Sequence, residues 1–159
     1  MSRIAVLALT LLAAGCGYST KPLRHEDVKS VALPIFKNDT VRRQHEFFLT
    51  DAVARMIQSR TRYRLADAER ADVILEGEIA DYETPGLVEG RDDQLVESQV
   101  SIRVVVTIRD RVSGAVRFQG TRTEVAPFSG RRGESEDTAR FEVYERLARW
   151  VITTLEAGF

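Results

Sequence analysis

Cys16 has the most distinctive chemical setting in this sequence of 159 residues, because it is the only cysteine. It directly follows Ala14 and Gly15, and such small residues fit the narrow cleft of a peptidase that cleaves before the cysteine. Its thiol is the natural nucleophile for acylation. A single cysteine excludes an intramolecular disulfide and any zinc site built from several cysteines. The sequence therefore predicts lipidation at Cys16.

The residues before Cys16 resemble a bacterial lipoprotein signal peptide. Arg3 supplies a short positive region, and the uncharged apolar stretch 4–14 is too short to span a bilayer. Ala13 stands where such signals usually carry an aliphatic residue, with Leu12 one position earlier. The alternative is a general secretory signal with an incidental cysteine, or the start of a buried helix. The expected division is a signal peptide at 1–15, a lipidated N-terminal tether at 16–27 and a single domain at 28–159.

The charge of the chain limits its partners. It has 23 basic and 24 acidic residues, and this balance argues against binding nucleic acid over a broad basic surface.

Gly17 follows the cysteine, and the absence of an aspartate there resembles a signal for sorting to the outer membrane. We therefore expect a lipid-anchored, periplasm-facing protein of the outer membrane.

Catalytic signatures are absent from the sequence. It contains no glycine-rich phosphate loop, no G-x-S-x-G elbow and no HExxH zinc pair. The only histidines are His25 and His45, and Asp92-Asp93 stands in a polar stretch where solvation is the simplest interpretation. His45 and Glu46 open an expected helix, which favours a capping or surface role for His45. We expect a protein that is not an enzyme and needs no metal or cofactor.

The spacing of apolar residues predicts four strands and two long helices. Pro34 lacks an N–H group, so the first strand is an edge strand, or Pro34 lies at a bulge or a strand end. Strands with one apolar face and helices with one apolar stripe pack as two layers. The prediction is an α+β two-layer sandwich of order β-α-β-β-β-α, with two long helices packed on one face of a four-stranded sheet. The elements are a strand at 28–36, a helix from about 43 to 59, a strand that begins near 63 and resumes at 71, strands at 100–111 and 116–126, and a helix at 134–156.

Side-chain positions follow from the same spacing. Val116 and Phe118 are expected to point into the core. Ser135 is a suitable N-cap for the last helix. The i, i+4 ion pairs expected on that helix are Glu142 with Arg146 and Glu145 with Arg149.

Several segments of the mature chain form an ordered series. The chain begins with Cys16-Gly17-Tyr18 and continues with VALPIFKNDT at 31–40, Glu46, LTDA at 49–52 and ADVILEGEI at 71–79. This series resembles LptE, the lipopolysaccharide-assembly lipoprotein family. The resemblance covers most of the mature chain and is densest from Val31 to Ile79.

The resemblance implies a fold and a function. Members of this family are outer-membrane lipoproteins, not enzymes, and they pack two helices against a four-stranded sheet. They sit as a plug inside a large β-barrel, assist its assembly and help to deliver lipopolysaccharide to the outer leaflet. The implied partners are the outer-membrane β-barrel protein, lipopolysaccharide and the membrane. The motif residues interpreted mainly as strand-end, capping and packing residues are Pro34, Phe36, Asn38, Thr40 and Gly77.

Arginine is the residue type that such a plug should present to lipopolysaccharide, which carries phosphates and carboxylates. No family motif assigns a lipid-binding residue, so the candidates are chosen on charge and exposure. The alternative is an ordinary solvated face, on which Arg103 and Arg109 pair with Glu76 and Glu78 across strands. The candidate lipopolysaccharide or barrel contacts are Arg103, Arg109, Arg111, Arg117, Arg131 and Arg132.

Two other functions fit the same sequence. The strand-turn-helix opening is similar to that of periplasmic lipoproteins that activate peptidoglycan synthases and to the curli-secretion type. A second hypothesis is therefore a lipoprotein regulator that docks on a cell-envelope enzyme or a secretion channel. A third is a lipid-anchored enzyme whose site forms only in the fold. A barrel partner would favour the plug, and a pocket of convergent titratable groups would favour the enzyme.

Overall fold

The computed structural model describes residues 28–85, 98–129 and 132–157. Cys16, the expected signal peptide and tether, Asp92-Asp93 and Arg131 lie outside these ranges. No helix within the described ranges is long and apolar enough to cross a membrane. The strands are β1 (Ser30–Ala32), β2 (Lys37–Asn38), β3 (Arg64–Leu65), β4 (Val73–Glu83), β5 (Ser98–Asp110) and β6 (Val116–Phe128), and the helices are α1 (His45–Arg60) and α2 (Glu136–Ala157).

The sheet is mixed and has six strands, so the prediction of four strands is wrong in number. The strand order is β3-β1-β4-β5-β6, and β2 also pairs with β4. The pairs of β1 with β3, β1 with β4 and β2 with β4 are parallel. The long strands β4, β5 and β6 form an antiparallel meander. The α+β class and the two long helices are confirmed.

One extra strand, β2, arises because pairing with β4 stops at Ala32 within the expected strand 28–36 and resumes just beyond it, at Lys37. Ala32 pairs with Ile74, whereas Lys37 pairs with Glu78. The four steps from Ile74 to Glu78 are therefore matched by five steps from Ala32 to Lys37. The additional residue lies in the segment that contains Pro34, which cannot donate a ladder hydrogen bond. The other extra strand is β3, because the strand expected to begin near 63 and resume at 71 is two strands, β3 and β4, which lie on opposite sides of β1.

The two helices bury the apolar stripes that predicted them. They pack against each other, and α2 also contacts β5 and β6. The Oγ of Ser135 accepts a hydrogen bond from the amide of Thr138 at 3.2 Å, as expected of an N-cap. The buried apolar residues are Leu49, Ala52, Val53, Met56 and Ile57 on α1, and Ala139, Val143, Tyr144, Leu147, Ala148, Val151, Ile152 and Leu155 on α2.

Val116 is the clearest error in the expected core, because it is 49% exposed. Ile108 pairs with Phe118 whereas Arg109 pairs with Val116, so the register shifts and leaves Arg117 without an opposite residue. Such a bulge reverses the alternation of side chains between the two faces. Phe118 does turn toward the helices, where its ring lies 6.4 Å from that of Trp150.

Gly77 allows the segment between β1 and α1 to pass close to the sheet. The ring of Phe36 is only 2% exposed and lies directly over Gly77 on β4. A Cβ atom at position 77 would overlap this ring, so a side chain there requires Phe36 to move. The interpretation of Gly77 as a packing residue agrees with this contact.

Gly77→Ala is predicted to destabilise the protein by about 1–3 kcal/mol, because the added methyl group displaces a buried ring. Urea denaturation gives the free energy of unfolding. Glu78→Ala is the control on the opposite face, where a change within about 0.5 kcal/mol is expected. Gly77→Ala should cost less in a Phe36→Leu background, since leucine leaves more room. Equal costs in the two backgrounds would contradict the proposed contact.

Candidate functional site

Asn38 organises the turn that carries the first half of the family-like motif. Its Nδ2 donates hydrogen bonds of 2.6 Å to the carbonyl oxygen of Arg42 and to Oε2 of Glu46. Its Oδ1 accepts hydrogen bonds from the amide of Thr40 at 3.0 Å and from the Thr40 hydroxyl at 2.7 Å. Both ends of the amide are therefore used within the turn. Asn38, Thr40 and Glu46 form a structural unit, and Gln44 rather than the 38–40 turn is the N-cap of α1.

The start of the second motif segment ties β1 to β4. The Oδ2 of Asp72 accepts hydrogen bonds from the amides of Lys29 and Ser30 at 2.8 and 2.9 Å, and from the Ser30 hydroxyl at 2.8 Å. These hydrogen bonds, that from the Lys29 amide first, hold the pKa of Asp72 below its ordinary value. The carboxylate therefore serves the parallel pairing of two strands.

Arg42 joins three elements at the end of the sheet near the helix N-termini. Its Nη1 lies 2.8 Å from Oε1 of Glu136 at the start of α2, and its Nη2 donates to the hydroxyl of Thr84 at 2.8 Å. The guanidinium also stacks over the Tyr82 ring, 4.7 Å from its centroid. The turn built by Asn38 thus places a cation where α2 and the end of β4 meet.

His45 lies inside the protein, so the expectation of a capping or surface role is wrong. It is buried at the start of α1, and its ring stacks on Tyr82 with 4.4 Å between centroids. Its Nδ1 lies 2.6 Å from the hydroxyl oxygen of Tyr144. Burial lowers the pKa of His45 below its ordinary value, and the cations of Arg140 and Arg42 lower it further. Glu46 and Glu136 oppose this shift, but the neutral ring is favoured.

The buried position of His45 could not be read from its neighbours in sequence. Its partners Tyr82 and Tyr144 are distant along the chain and reach it only through the packing of β4 and α2. Within the described ranges, no group of three or more His, Cys, Asp or Glu residues is arranged to hold a metal ion. Arg140 contributes to the same cluster, and its Nε is buried without a hydrogen-bond partner.

The candidate arginines do not form one cluster. Arg109, Arg111 and Arg117 lie together around the β5–β6 hairpin, whereas Arg103 lies six residues from Arg109 along β5. Six residues of a strand span about 20 Å. Arg132 follows β6, at the opposite end of the sheet from the hairpin.

Most of these arginines have carboxylate partners. Arg103 pairs with Asp81 at 3.1 Å and Arg109 pairs with Glu76 at 3.3 Å, so the expected cross-strand pairing holds for Arg109 and has a different partner for Arg103. Arg132 pairs with Glu134 at 3.1 Å, and the Nε of Arg111 donates to the carbonyl oxygen of Ala71 at 2.7 Å. The ion pairs among them are at least partly exposed, where screening by water weakens them.

Asp110 fixes the hairpin around which three of the arginines lie. Its Oδ1 accepts hydrogen bonds from the amides of Val112 and Ser113, and its Oδ2 pairs with Arg117. The Ser113 amide and the Arg117 guanidinium hold the pKa of Asp110 well below its ordinary value. The hydrogen bonds that hold the hairpin therefore favour the ionised form of Asp110.

The pairing on α2 follows the expectation in part. Arg146 pairs with Glu142 at 2.5 Å, as the i, i+4 spacing predicts. Glu145 contacts Arg55 of α1 at 3.9 Å instead of Arg149. The packing of α2 against α1 decides between such partners, and the spacing of residues along one helix does not specify that packing.

Solved structures of several bacterial proteins, lipoproteins among them, share this fold. A hypothetical protein from Chlamydia trachomatis aligns with a TM-score of 0.59 and 15% identity, over 82% of this chain and 97% of that chain. Lipoprotein B from Nitrosomonas europaea aligns with a TM-score of 0.58 and 15% identity, over 82% and 83% of the two chains. A minor lipoprotein from Acinetobacter baumannii gives a TM-score of 0.56 and 14% identity, over 82% and 94%. Identities this low show the fold alone.

The sequence itself assigns the family. The model of the lipopolysaccharide-assembly family LptE matches residues 28–155, which is most of the chain. This protein belongs to that family, and the resemblance identified from its motifs is confirmed. No curated protein sequence matches the chain significantly.

The buried histidine predicts how stability depends on pH. The folded-state pKa of His45 lies below its ordinary value of 6.5, so the unfolded chain binds this proton first as the pH falls. The free energy of unfolding should therefore be highest above pH 6.5 and should decrease as the pH is lowered from 7.5 to 5. Urea denaturation of the full chain across this range measures the decrease.

His45→Gln should lower stability at every pH, because the ring stack is lost, but should flatten the decrease below pH 6.5. Comparison of the two curves removes the contribution of the carboxylates, which both proteins share. His25→Gln removes the other histidine and should leave the curve unchanged. A His45→Gln curve parallel to that of the unmodified protein would rule out His45 as the source.

Proposed function

We propose that this protein is an outer-membrane lipoprotein that plugs the β-barrel of a lipopolysaccharide translocon, assists assembly of that barrel and helps to deliver lipopolysaccharide to the outer leaflet. The observation that carries the proposal is the match of the LptE family to residues 28–155. Members of the family act as plugs, and we extend that role to this chain.

The surface of the domain suits the polar lumen of a large barrel. The face of the sheet away from the helices carries alternating charges held in pairs, such as Arg109 with Glu76 and Arg103 with Asp81. The opposite face is filled by a continuous apolar core that includes Leu75, Ile102 and Leu147. A polar exterior on a well-packed interior is what a plug requires.

The proposed anchor is a lipid on Cys16, after removal of residues 1–15, with 16–27 as the tether to the domain. Gly17 favours the outer membrane as the destination. Several acyl chains anchor a protein firmly, whereas one anchors it only marginally. The proposed role is binding and assembly without catalysis, and it needs no cofactor.

We also propose that lipopolysaccharide contacts arginines of the candidate set. The hairpin group of Arg109, Arg111 and Arg117 is favoured, because three guanidiniums lie within a short stretch of chain and can meet adjacent phosphates. Arg103, Arg131 and Arg132 are candidates for contact with the barrel or with a more distant part of the glycolipid.

Purification of the tagged, lipidated protein from native membranes in detergent should yield a near-stoichiometric outer-membrane β-barrel protein, identified by mass spectrometry. Cys16→Ser should abolish acylation and membrane attachment but leave cooperative unfolding intact, because the cysteine precedes the apolar pattern that predicts the core. A cell-envelope synthase in place of the barrel would contradict the plug and favour a regulator.

Arg109→Gln combined with Arg117→Gln should weaken binding of purified lipopolysaccharide by about tenfold, which corresponds to about 1.4 kcal/mol. Fluorescence titration of the full chain measures the affinity. Arg55→Gln removes a more exposed guanidinium, from α1, and should leave the affinity unchanged. If Arg55→Gln also weakens binding by a comparable factor, the attraction is a general effect of charge and the hairpin is not a contact site.

A further inference from the structure

The outer edge of β6 is open along most of its length. This strand runs for 13 residues, and it ends the sheet on the side opposite β3. Within the described ranges no strand pairs with its outer side. Long open edges offer a row of unpaired backbone groups that can accept another strand.

The hydrogen bonds around the β5–β6 hairpin show which backbone groups face outward. The Asp110 amide donates to the carbonyl oxygen of Ala115, toward β6, whereas the Arg111 amide donates to that of Asp72, toward β4. The backbone groups of successive residues in a strand point to opposite neighbours. The even-numbered residues of β5 therefore form their backbone hydrogen bonds with β6. Their partners in register are the even-numbered residues from Phe118 to Ala126. The residues whose backbone groups point outward are Gln119, Thr121, Thr123 and Val125.

Part of this edge is already protected. Arg146 of α2 donates to the carbonyl oxygen of Val125 at 2.8 Å, and Pro127 has no amide hydrogen. Toward the hairpin, the bulge at Arg117 interrupts the regular ladder. The outward amides and carbonyls of Gln119, Thr121 and Thr123 have no such cover among the described residues.

A groove runs beside this open edge, between β6 and α2. Its volume is about 490 Å³, and the indole of Trp150 forms part of its wall. A strand added to β6 would project alternate side chains into this groove. The lining residues are Arg122, Glu124, Arg146, Arg149, Trp150 and Thr153.

The charges of this groove are unbalanced. Arg122 pairs with Glu124 at 2.7 Å, and Arg146 pairs with Glu142. Arg149 also lines the groove, and none of the ion pairs among the described residues includes it. The groove therefore offers one uncompensated guanidinium to an incoming group, and a carboxylate is its natural complement.

We propose that the β6 edge and its groove bind an extended segment of a partner protein, which adds a strand to the sheet and places a carboxylate side chain against Arg149. Backbone hydrogen bonds to Gln119, Thr121 and Thr123 supply affinity, and the groove supplies side-chain selectivity, as in other cases of strand addition. This proposal does not depend on the plug function, because it requires only the edge, the groove and the charge.

A second copy of the chain fits the groove less well than an acidic segment. Symmetric pairing of two β6 strands brings the same surface of each copy together. Each groove would then face the Arg122, Arg146 and Arg149 side chains of the other copy. The one carboxylate that lines the other groove, Glu124, is already paired with Arg122 and is not free for Arg149. Charge complementarity therefore favours an acidic partner strand.

The test uses the full lipidated chain in detergent and an end-blocked octapeptide of alternating Val and Glu. We expect saturable binding that slows hydrogen exchange at the amides of Gln119, Thr121 and Thr123. The same peptide with N-methyl groups at alternate positions should bind at least about tenfold more weakly, because it cannot complete the ladder. This control leaves the protein unchanged.

The side-chain part of the proposal has its own controls. A Val-Lys peptide should bind at least about tenfold more weakly than the Val-Glu peptide, and Arg149→Gln should reduce that difference. Arg60→Gln on α1 should leave it unchanged. Equal binding of all three peptides, or no protection of the Thr121 and Thr123 amides, would overturn the proposal. Protection of those amides by concentration-dependent dimers without peptide would also overturn it and would assign the edge to a second copy.

Discussion

The close approach of Phe36 to Gly77 is the contact on which much of the architecture depends. The chain leaves β1 at Ala32 and must return to the sheet before it can begin α1. The Phe36 ring packs directly on the backbone of Gly77, which has no side chain. This contact brings Lys37 and Asn38 into register with β4. A side chain at position 77 would lift this segment from the sheet.

The consequences of that contact extend to both helices. Once Asn38 is held against β4, its side chain builds the turn that directs Arg42 toward Glu136 and Thr84. The same turn is followed by His45, which fills the space between Tyr82 and Tyr144. The start of α1, the end of β4 and the start of α2 are therefore fixed together by hydrogen bonds and stacked rings. The motif residues Phe36, Asn38 and Gly77 therefore serve this construction.

The sequence predicts those features that depend on local spacing. The alternation from Val100 to Ile108 and the stripes of the two helices require no knowledge of distant partners, and the structure confirms them. The expected inward position of Val116 is wrong because a bulge reverses the alternation of side chains between the two faces of β6. That bulge depends on how β6 pairs with β5. The return of the chain to the sheet at Lys37 has a similar origin, since only pairing with β4 reveals the additional residue near Pro34.

The chemistry of the side chains was predictable to a similar extent. Arginines could be identified as exposed cations, but their partners depend on register. The pairing of β4 with β5 shifts between Ile79 and Asp81, and this shift sets Asp81 opposite Arg103. A spacing argument that assumes a regular ladder therefore chooses Glu76 or Glu78 instead. His45 is the extreme case, because both of its ring partners come from other elements.

The two edges of the sheet differ in how they are protected. On one side the sheet ends with β3, which has only two residues, and so short an edge offers little for another strand to pair with. On the other side β6 has 13 residues, and Pro127 and Arg146 protect only the part near the start of α2. A chain that works as an isolated monomer gains nothing from a long open edge and is exposed to aggregation through it. The polar side chains of β6 show that this strand is not a buried element, since Gln119, Thr121 and Thr123 are not in the core. A long, polar edge of this kind is suited to pairing with another backbone in contact with water. Main-chain hydrogen bonds and one charge pair can then hold two proteins in register.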